Sequence, residues 1–297
     1  TAESSAFGAT LLEATSQAAA QAVLGVSGGG SSVAFNRFAN GALRFDQTNL
    51  GVSITVNNAA TFQSADCVIG FGAISAGTYT MQQIIASPPP GYSAFLRVAR
   101  VTRDATPAAG SGYQCIFLLE GADLYDFRWG TADAKPISIS FLFRTSMAGT
   151  LTWSGSIRND TGLRSYPFTW QTTAANTWTT IEIPNIPGDI AGTWLITQAR
   201  GMMLTIDVGS GATLRGAAGA WSALNLLGVT GAERLISSAA ADSFDVTGVQ
   251  LAPGTTVAPF EVVSTAVNIF RLKRYLEIMG GNDANELFGN GPATATT

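Results

Sequence analysis

The chain has 297 residues and a net charge of −4, with a pI of about 4.8, which argues against an extended nucleic-acid-binding face. Only 12% of residues are charged, mean hydropathy is +0.23 and 33 residues are glycine, the balance of a tightly packed, turn-rich fold with surface to bury between subunits. Histidine is absent, which excludes serine–histidine, cysteine–histidine and zinc–histidine chemistry.

No apolar run reaches membrane-spanning length, so no membrane insertion is expected. The opening TAESSAFGAT lacks the basic region and apolar core of a secretion signal. Residues 11–25 read LLEATSQAAAQAVLG: Thr15 or Ser16 caps a short helix that Gly25 ends. It reads as an ordinary surface helix, and equally resembles segments common in phage fibre shafts. GVSGGGSS then forms a flexible linker, so residues 1–32 are expected to be an attachment segment.

Residues 33–265 carry short alternating runs separated by turns, the pattern of an antiparallel sandwich. Strands are expected at 52–56, 67–71, 79–84, 94–102, 113–119, 149–157, 165–170, 178–183 and 202–208. The clearest is KPISISFLFRTS at 135–146, with Ile137, Ile139, Phe141 and Phe143 on one face. Burying those four contributes about 6–12 kcal/mol of transfer free energy before entropy is subtracted. Residues 217–237 break the rhythm and are expected to be a long loop with a helical turn. In FDVTGVQL the alternation slips phase at Gly248, which indicates a bulge or a close backbone approach. Pro253-Gly254 turns the chain. From Ala266 a helical stripe of Val267, Phe270, Leu272, Tyr275, Leu276 and Met279 is expected to dock on the sandwich, with 266–297 as helix and tail. Cys67 and Cys115 sit in apolar strand-like runs and read as two buried thiols, or as a disulfide if their strands adjoin.

The run VTGVQLAPGTTVAPFE with RLKRYLEIM resembles the end of the jelly-roll, carbohydrate-binding-module-like domain of bacteriophage tail fibres and related phage appendages. That family has V-Q-L-E-x-G, A-T-P-F-E and C-x-R-Y-Y elements. Val249, Gln250, Leu251, Gly254, Ala258, Pro259, Phe260, Glu261, Arg274 and Tyr275 match, while Ala252 and Leu272 depart from it. Upstream, Asn36, Asn40, Gly41 and Gln47 match its opening, Ala65 and Asp66 its T-A-D element, and Lys135, Ile137, Ser140 and Phe141 its central strand. Asn176-Thr177-Trp178 matches another element, and IPGDIAGTW (186–194) resembles its I-P-G-D-x-x-G-x-W turn. The resemblance covers about the C-terminal three-quarters of the chain. It implies an all-β jelly roll with a short N-terminal helix and a C-terminal docking helix. It also implies a virion protein assembled in the host cytoplasm as a homotrimer, attached to other virion proteins through its N-terminal segment and binding bacterial surface glycan without catalysis. A structural decoration or adaptor protein that binds no sugar is the competing reading.

A sugar site needs aromatic faces beside planar hydrogen-bonding groups. Two stretches supply both. EGADLYDFRWGTAD offers Asp123, Tyr125, Asp126, Arg128 and Trp129; RNDTGLRSYPFTW offers Arg164, Tyr166 and Trp170, which share one strand face with Phe168. The bland readings stand beside these: a solvated turn for the first, core aromatics for the second. Trp153, Trp178 and Trp194 read as structural, and Trp221 stays open. Glu120, Asp123, Asp126 and Asp133 could bind a structural calcium, although no regular ligand spacing marks them. No cofactor is implied, no carboxylate pair stands out for a glycosidase, and Gly28-Gly29-Gly30 leads to serines, not to a phosphate-binding helix start.

Overall fold

The computed structural model describes residues 36–57, 61–73 and 76–273. The expected N-terminal helix and linker, and the motif residues Arg274 and Tyr275, lie outside them. The fold is an antiparallel jelly-roll sandwich. One sheet has the order β1 (Ile54–Val56), β4 (Thr78–Ile84), β5 (Phe95–Thr102), β14 (Ser243–Pro253), β7 (Ile137–Thr145), β10 (Thr179–Ile186). The other has β2 (Thr61–Ala65), β3 (Val68–Ala73), β6 (Gly112–Glu120), β11 (Arg200–Asp207), β8 (Leu151–Asn159), β9 (Ser165–Thr172). From β5 to β8 the chain changes sheet at every connection, and again on either side of β10. β2 was not foreseen, because its short run TFQSA has no apolar alternation.

The two inner faces supply the core. Ile137, Ile139, Phe141 and Phe143 all point inward, as their parity requires. Phe143 stacks on Phe244 at 5.2 Å and meets Trp153 at the same centroid distance. β14 sits between β5 and β7 and shifts register between Thr247 and Gln250, so the phase slip is a bulge. Gly248 there has φ +64°, and a methyl group on it would lie 2.5 Å from the Tyr92 hydroxyl. Bulge and close approach therefore coincide at one glycine.

The start and end of the domain are clasped to β14. The Asn36 side chain donates to the Val249 carbonyl and accepts from the Leu251 and Phe38 amides. Gly41 lies so close that a methyl would be 2.1 Å from the Val249 oxygen. Gln250 donates to the carbonyls of Ala258 and Pro259 and accepts from the Glu261 amide, while Glu261 accepts from the Asn36 amide at 2.8 Å. The residues that carry the family resemblance at both ends are thus scaffold.

The helix α1 (Thr265–Lys273) corrects the expected stripe. Asn268 and Leu272 face inward, whereas Val267 and Phe270 face out, Phe270 at 79% exposure. Asn268 and Leu272 are four apart and so share a helical face; Phe270 lies across from them. Among the described residues no helix is long and apolar enough to cross a membrane.

Residues 208–237 are also more than a loop. Besides a 3-10 turn at Leu235–Ser237, they contain the short parallel pair β12 (Arg215–Gly216) and β13 (Gly228–Val229). They roof the outer face of the second sheet. Ser222 bridges Ser165, the Ser165 hydroxyl donates to the Leu224 carbonyl, and Glu233 donates to the Thr152 carbonyl. A fully buried ion pair, Arg215–Asp207 at 2.7 Å, ties the roof to β11. Arg158, on β8, is buried beneath it against Gln114, Thr205 and Asn225. Burial, with Arg200 nearby, pulls its guanidinium down to about 9.

Cys67 and Cys115 are both free. Their strands adjoin, but Cys115 faces Gly70 and Cys67 lies beyond the Val68–Phe117 pair, so the thiols are out of register. Burial, then the charges of Asp66, Glu120 and Asp123, push the Cys67 thiol up to about 12; burial alone pushes Cys115 up.

Gly248→Ala is expected to lower stability by at least about 1–2 kcal/mol from the left-handed backbone alone, read as a urea midpoint shift at constant slope; an unchanged midpoint would mean that the bulge relaxes freely. A thiol at about 12 holds roughly a thousandfold less thiolate at pH 8 than an ordinary one. Both cysteines should therefore resist alkylation in the native protein and react stoichiometrically in denaturant, with mass spectrometry as the readout.

Candidate functional site

Two loops meet at one end of the sandwich and enclose an open depression of about 430 Å³. Tyr125, Arg128, Trp129 and Thr131 form one wall; Gly192, Thr193, Trp194 and Ile196 form the other. The first loop leaves β6 through two 3-10 turns, Gly121–Asp123 and Tyr125–Phe127. Arg128 takes a left-handed backbone, φ 55°, and Thr131 closes the turn by donating to the Arg128 carbonyl at 2.6 Å. The loops are joined directly, because the Gly130 amide donates to the Asp189 carbonyl at 2.7 Å.

The second wall hangs on the Asp189 side chain, which is fully buried. Oδ2 accepts from Arg164 Nε at 2.7 Å and Trp194 Nε1 at 3.1 Å; Oδ1 accepts from Arg164 Nη2 at 2.5 Å and the Ala191 amide at 3.2 Å. The carboxylate bonds raise the Arg164 guanidinium above its ordinary value. The stem of Arg164 lies across Gly192, φ +77°, where a methyl would be 2.4 Å from Cγ. The turn thus needs glycine for both conformation and space.

Behind the walls the indoles interlock. Trp129 meets Trp194 edge-to-face at 4.6 Å and Trp221 at 5.2 Å, and Trp221 continues to Tyr166 at 5.3 Å. Two indole N–H groups are held by carbonyls, Trp129 to Lys135 and Trp221 to Pro187, each at 2.8 Å. The cluster gives the depression a rigid apolar floor.

The expected site residues separate accordingly. Tyr125, Arg128 and Trp129 come together here, with Arg164 as support behind the opposite wall. Tyr125 is 67% exposed and Ile196, across the depression, 61%. Trp129 is only 6% exposed, so it contributes floor where a platform was expected. Asp126 turns away to Arg37, 2.6 Å, whose guanidinium also covers the Phe127 ring. Asp123 ends the first 3-10 turn and does not line the depression. Tyr166 and Trp170 are core residues. Trp170 packs on Phe141 and Phe143 at 5.1 and 5.3 Å, because its parity matches the inward face of β9. Burial raises the Tyr166 phenol.

The carboxylates named for a structural calcium part company. Asp126 goes to Arg37 and Asp133 to Arg128, 3.0 Å, and among the described residues no three acidic or thiol groups converge as a metal site. Thr193, Trp194, Ile196 and Trp221 are the residues that sequence reasoning did not place here. The I-P-G-D-x-x-G-x-W likeness flagged the Trp194 turn, but as scaffold.

Asp189→Ala should destabilise the protein by roughly 3–5 kcal/mol, the cost of leaving a buried charge unpartnered, and should shift tryptophan emission as Trp194 loses its acceptor. Denaturant titration followed by intrinsic fluorescence tests both; a loss below about 1 kcal/mol would show that Arg164 finds water instead.

No protein-family model matches the chain, and no curated protein matches it. Solved structures with a similar fold include carbohydrate-binding modules. The C-terminal family 22 module of Clostridium thermocellum Xyn10B is 14% identical with a TM-score of 0.35, over 74% of this chain and 99% of that one. A family 11 module from Clostridium thermocellum, in complex with a beta-1,3-1,4-mixed-linked tetrasaccharide, is 12% identical with a TM-score of 0.33, over 69% and 98%. TmCBM61, in complex with beta-1,4-galactotriose, is 11% identical with a TM-score of 0.29, over 71% and 99%. At TM-scores below 0.5 these likenesses assign no function to this chain.

Proposed function

We propose that this protein is the glycan-binding module of a phage or phage-like appendage, attaching to bacterial surface glycan without catalysis. The observation that carries the proposal is the Tyr125–Ile196 depression: an exposed aromatic ring and an exposed aliphatic side chain face each other over an indole floor. Its volume falls within the range of small-ligand sites. Tyr125 offers a face to sugar C–H groups and Arg128 donates to hydroxyls. Thr131 and Thr193 add hydroxyls on either wall. The virion setting comes from the sequence resemblance, as does the trimer; three weak sites on one axis would gain avidity without any new contact. Binding is favoured over hydrolysis because Asp133, the carboxylate beside Arg128, is held in an ion pair, and a glycosidase needs two carboxylates across one bond.

A second reading, attachment to other virion proteins without sugar binding, is favoured by the outward apolar side chains of Val262, Val267, Ile269 and Phe270 at and before α1.

A glycan array and whole-cell binding with the multivalently displayed protein test the first reading. Binding is expected, and Tyr125→Ala should weaken it at least tenfold while the melting temperature stays unchanged, since Tyr125 is exposed. No binding at high avidity would leave the structural reading in place.

A further inference from the structure

The Tyr125 loop follows β6 at the end where Glu120 faces Arg200; at the other end of the same pair, where Asp207 faces Gln114, lies a second open cavity. Its volume is about 360 Å³, and it shares no lining residue with the Tyr125 depression. Met147, Glu233 and Arg234 line it, together with Ser237 and Ser238 at the end of the 3-10 turn Leu235–Ser237.

Arginines gather at this turn. Arg103 Nε donates to the Ser237 carbonyl at 3.0 Å. Arg100 Nε donates to the Ser238 hydroxyl at 3.1 Å, and its Nη2 to the Ala240 carbonyl. Arg234 caps the turn in extended backbone. Among the described residues, Arg44, Arg100, Arg103, Arg158 and Arg234 are the arginines without a carboxylate partner, and three of these five meet here. The groups that hold Arg100 and Arg103 are neutral, so they brace the turn without offsetting its charge.

Arg234 does not even brace. Its side chain makes no hydrogen bond among the described residues, and Nε is buried without an acceptor. Burial, then the neighbouring Arg215 guanidinium, hold it below its ordinary value, which Asp207 and Asp104 offset only in part. Each nearby acid is engaged elsewhere. Asp207 takes Arg215. Asp104 accepts from the Tyr113 hydroxyl at 2.6 Å and the Thr106 amide at 3.2 Å, and Asp242 from the Ser146 hydroxyl at 2.9 Å. Glu233 lines the cavity too, yet among the described residues no ion pair joins it to Arg234; extended backbone turns successive side chains apart. A partly buried guanidinium without a partner is a standing cost, and a bound oxyanion would remove it.

We infer that this cavity binds a phosphate group, free or carried on a sugar. A dianion suits a turn where three guanidiniums meet without a paired carboxylate. Its oxygens would meet the terminal nitrogens of Arg234, whose planar fork matches them, while Arg100 and Arg103 add their field from the turn. Glu233, on the same wall, opposes the ligand. The inference uses no residue of the Tyr125 depression and does not rest on how that site is read.

Amide chemical-shift titrations of the whole chain with sodium phosphate, with glucose 6-phosphate and with sodium chloride at matched ionic strength test it, beside thermal melts. Phosphate is expected to shift residues 231–238 saturably and to raise the melting temperature by mass action. Glucose 6-phosphate binds more tightly than phosphate if the group is carried on a sugar, and less tightly if the ligand is the free ion. Arg234→Gln should melt no lower than the parent in chloride, since its guanidinium has no partner to lose. It should weaken phosphate at least about tenfold, the weight of one charge-assisted hydrogen bond. Glu233→Gln should strengthen phosphate binding, and Tyr125→Ala should leave it unchanged. Equal response to chloride, unchanged phosphate affinity in Arg234→Gln, or weaker binding in Glu233→Gln would overturn the proposal. So would loss of the phosphate response in Tyr125→Ala, which would move the binding to the first site.

Discussion

The site at the end of the sandwich depends on one buried carboxylate. Asp189 satisfies a guanidinium, an indole and a backbone amide at once, and its own carbonyl receives the amide of the opposite loop. A buried charge is tolerated only when paired and hydrogen-bonded on several sides. Here that requirement fixes a loop: Asp189 can be satisfied only if the 189–194 turn closes, Arg164 lies over Gly192 and Trp194 points inward. The walls of the depression are therefore held by interactions that any ligand would leave undisturbed. Preorganisation of this kind lowers the ordering cost of binding.

The sandwich itself was legible because period-two burial is a local property. The strand at 135–146 could be read residue by residue, since each inward side chain is followed by one that points out. The same rule showed that Tyr166, Phe168 and Trp170 share a face, but not which face is wet. That is decided by pairing. β9 joins β8 with Trp170 opposite Trp153, and both indoles must enter the layer that Phe143 occupies. A strand's face is fixed by neighbours far along the chain, so three aromatics in alternation are equally compatible with platform and core until the sheet is known.

The site was legible by half. The run from Glu120 to Asp133 is a loop that carries an aromatic and polar groups, as its composition indicates. Its polar residues nevertheless part company, because Arg37, 89 residues upstream, takes Asp126. The other wall comes from a turn about sixty residues downstream, and the exposure of Ile196 has no local signal at all. The roof was the least legible element. Residues 208–237 follow neither the helical nor the strand period, since they lie across a sheet and are held by side chains and single bridges in place of a ladder.

That roof has a consequence for where ligands can bind. The outer face of the second sheet carries Arg158, Gln114, Thr205, Ser154 and Ser156, a polar surface that would suit a hydroxyl-rich ligand if it were open. Instead Asn225 reaches down to Arg158, and Gly228 passes so close that a methyl would lie 2.3 Å from Asp207. The buried Arg215–Asp207 pair makes lifting the roof costly, because opening would strand a charge in each half. A ligand is thereby left the edges, where loops meet. The Tyr125 depression lies in such a place, built from segments distant in sequence and joined by the Gly130–Asp189 backbone bond.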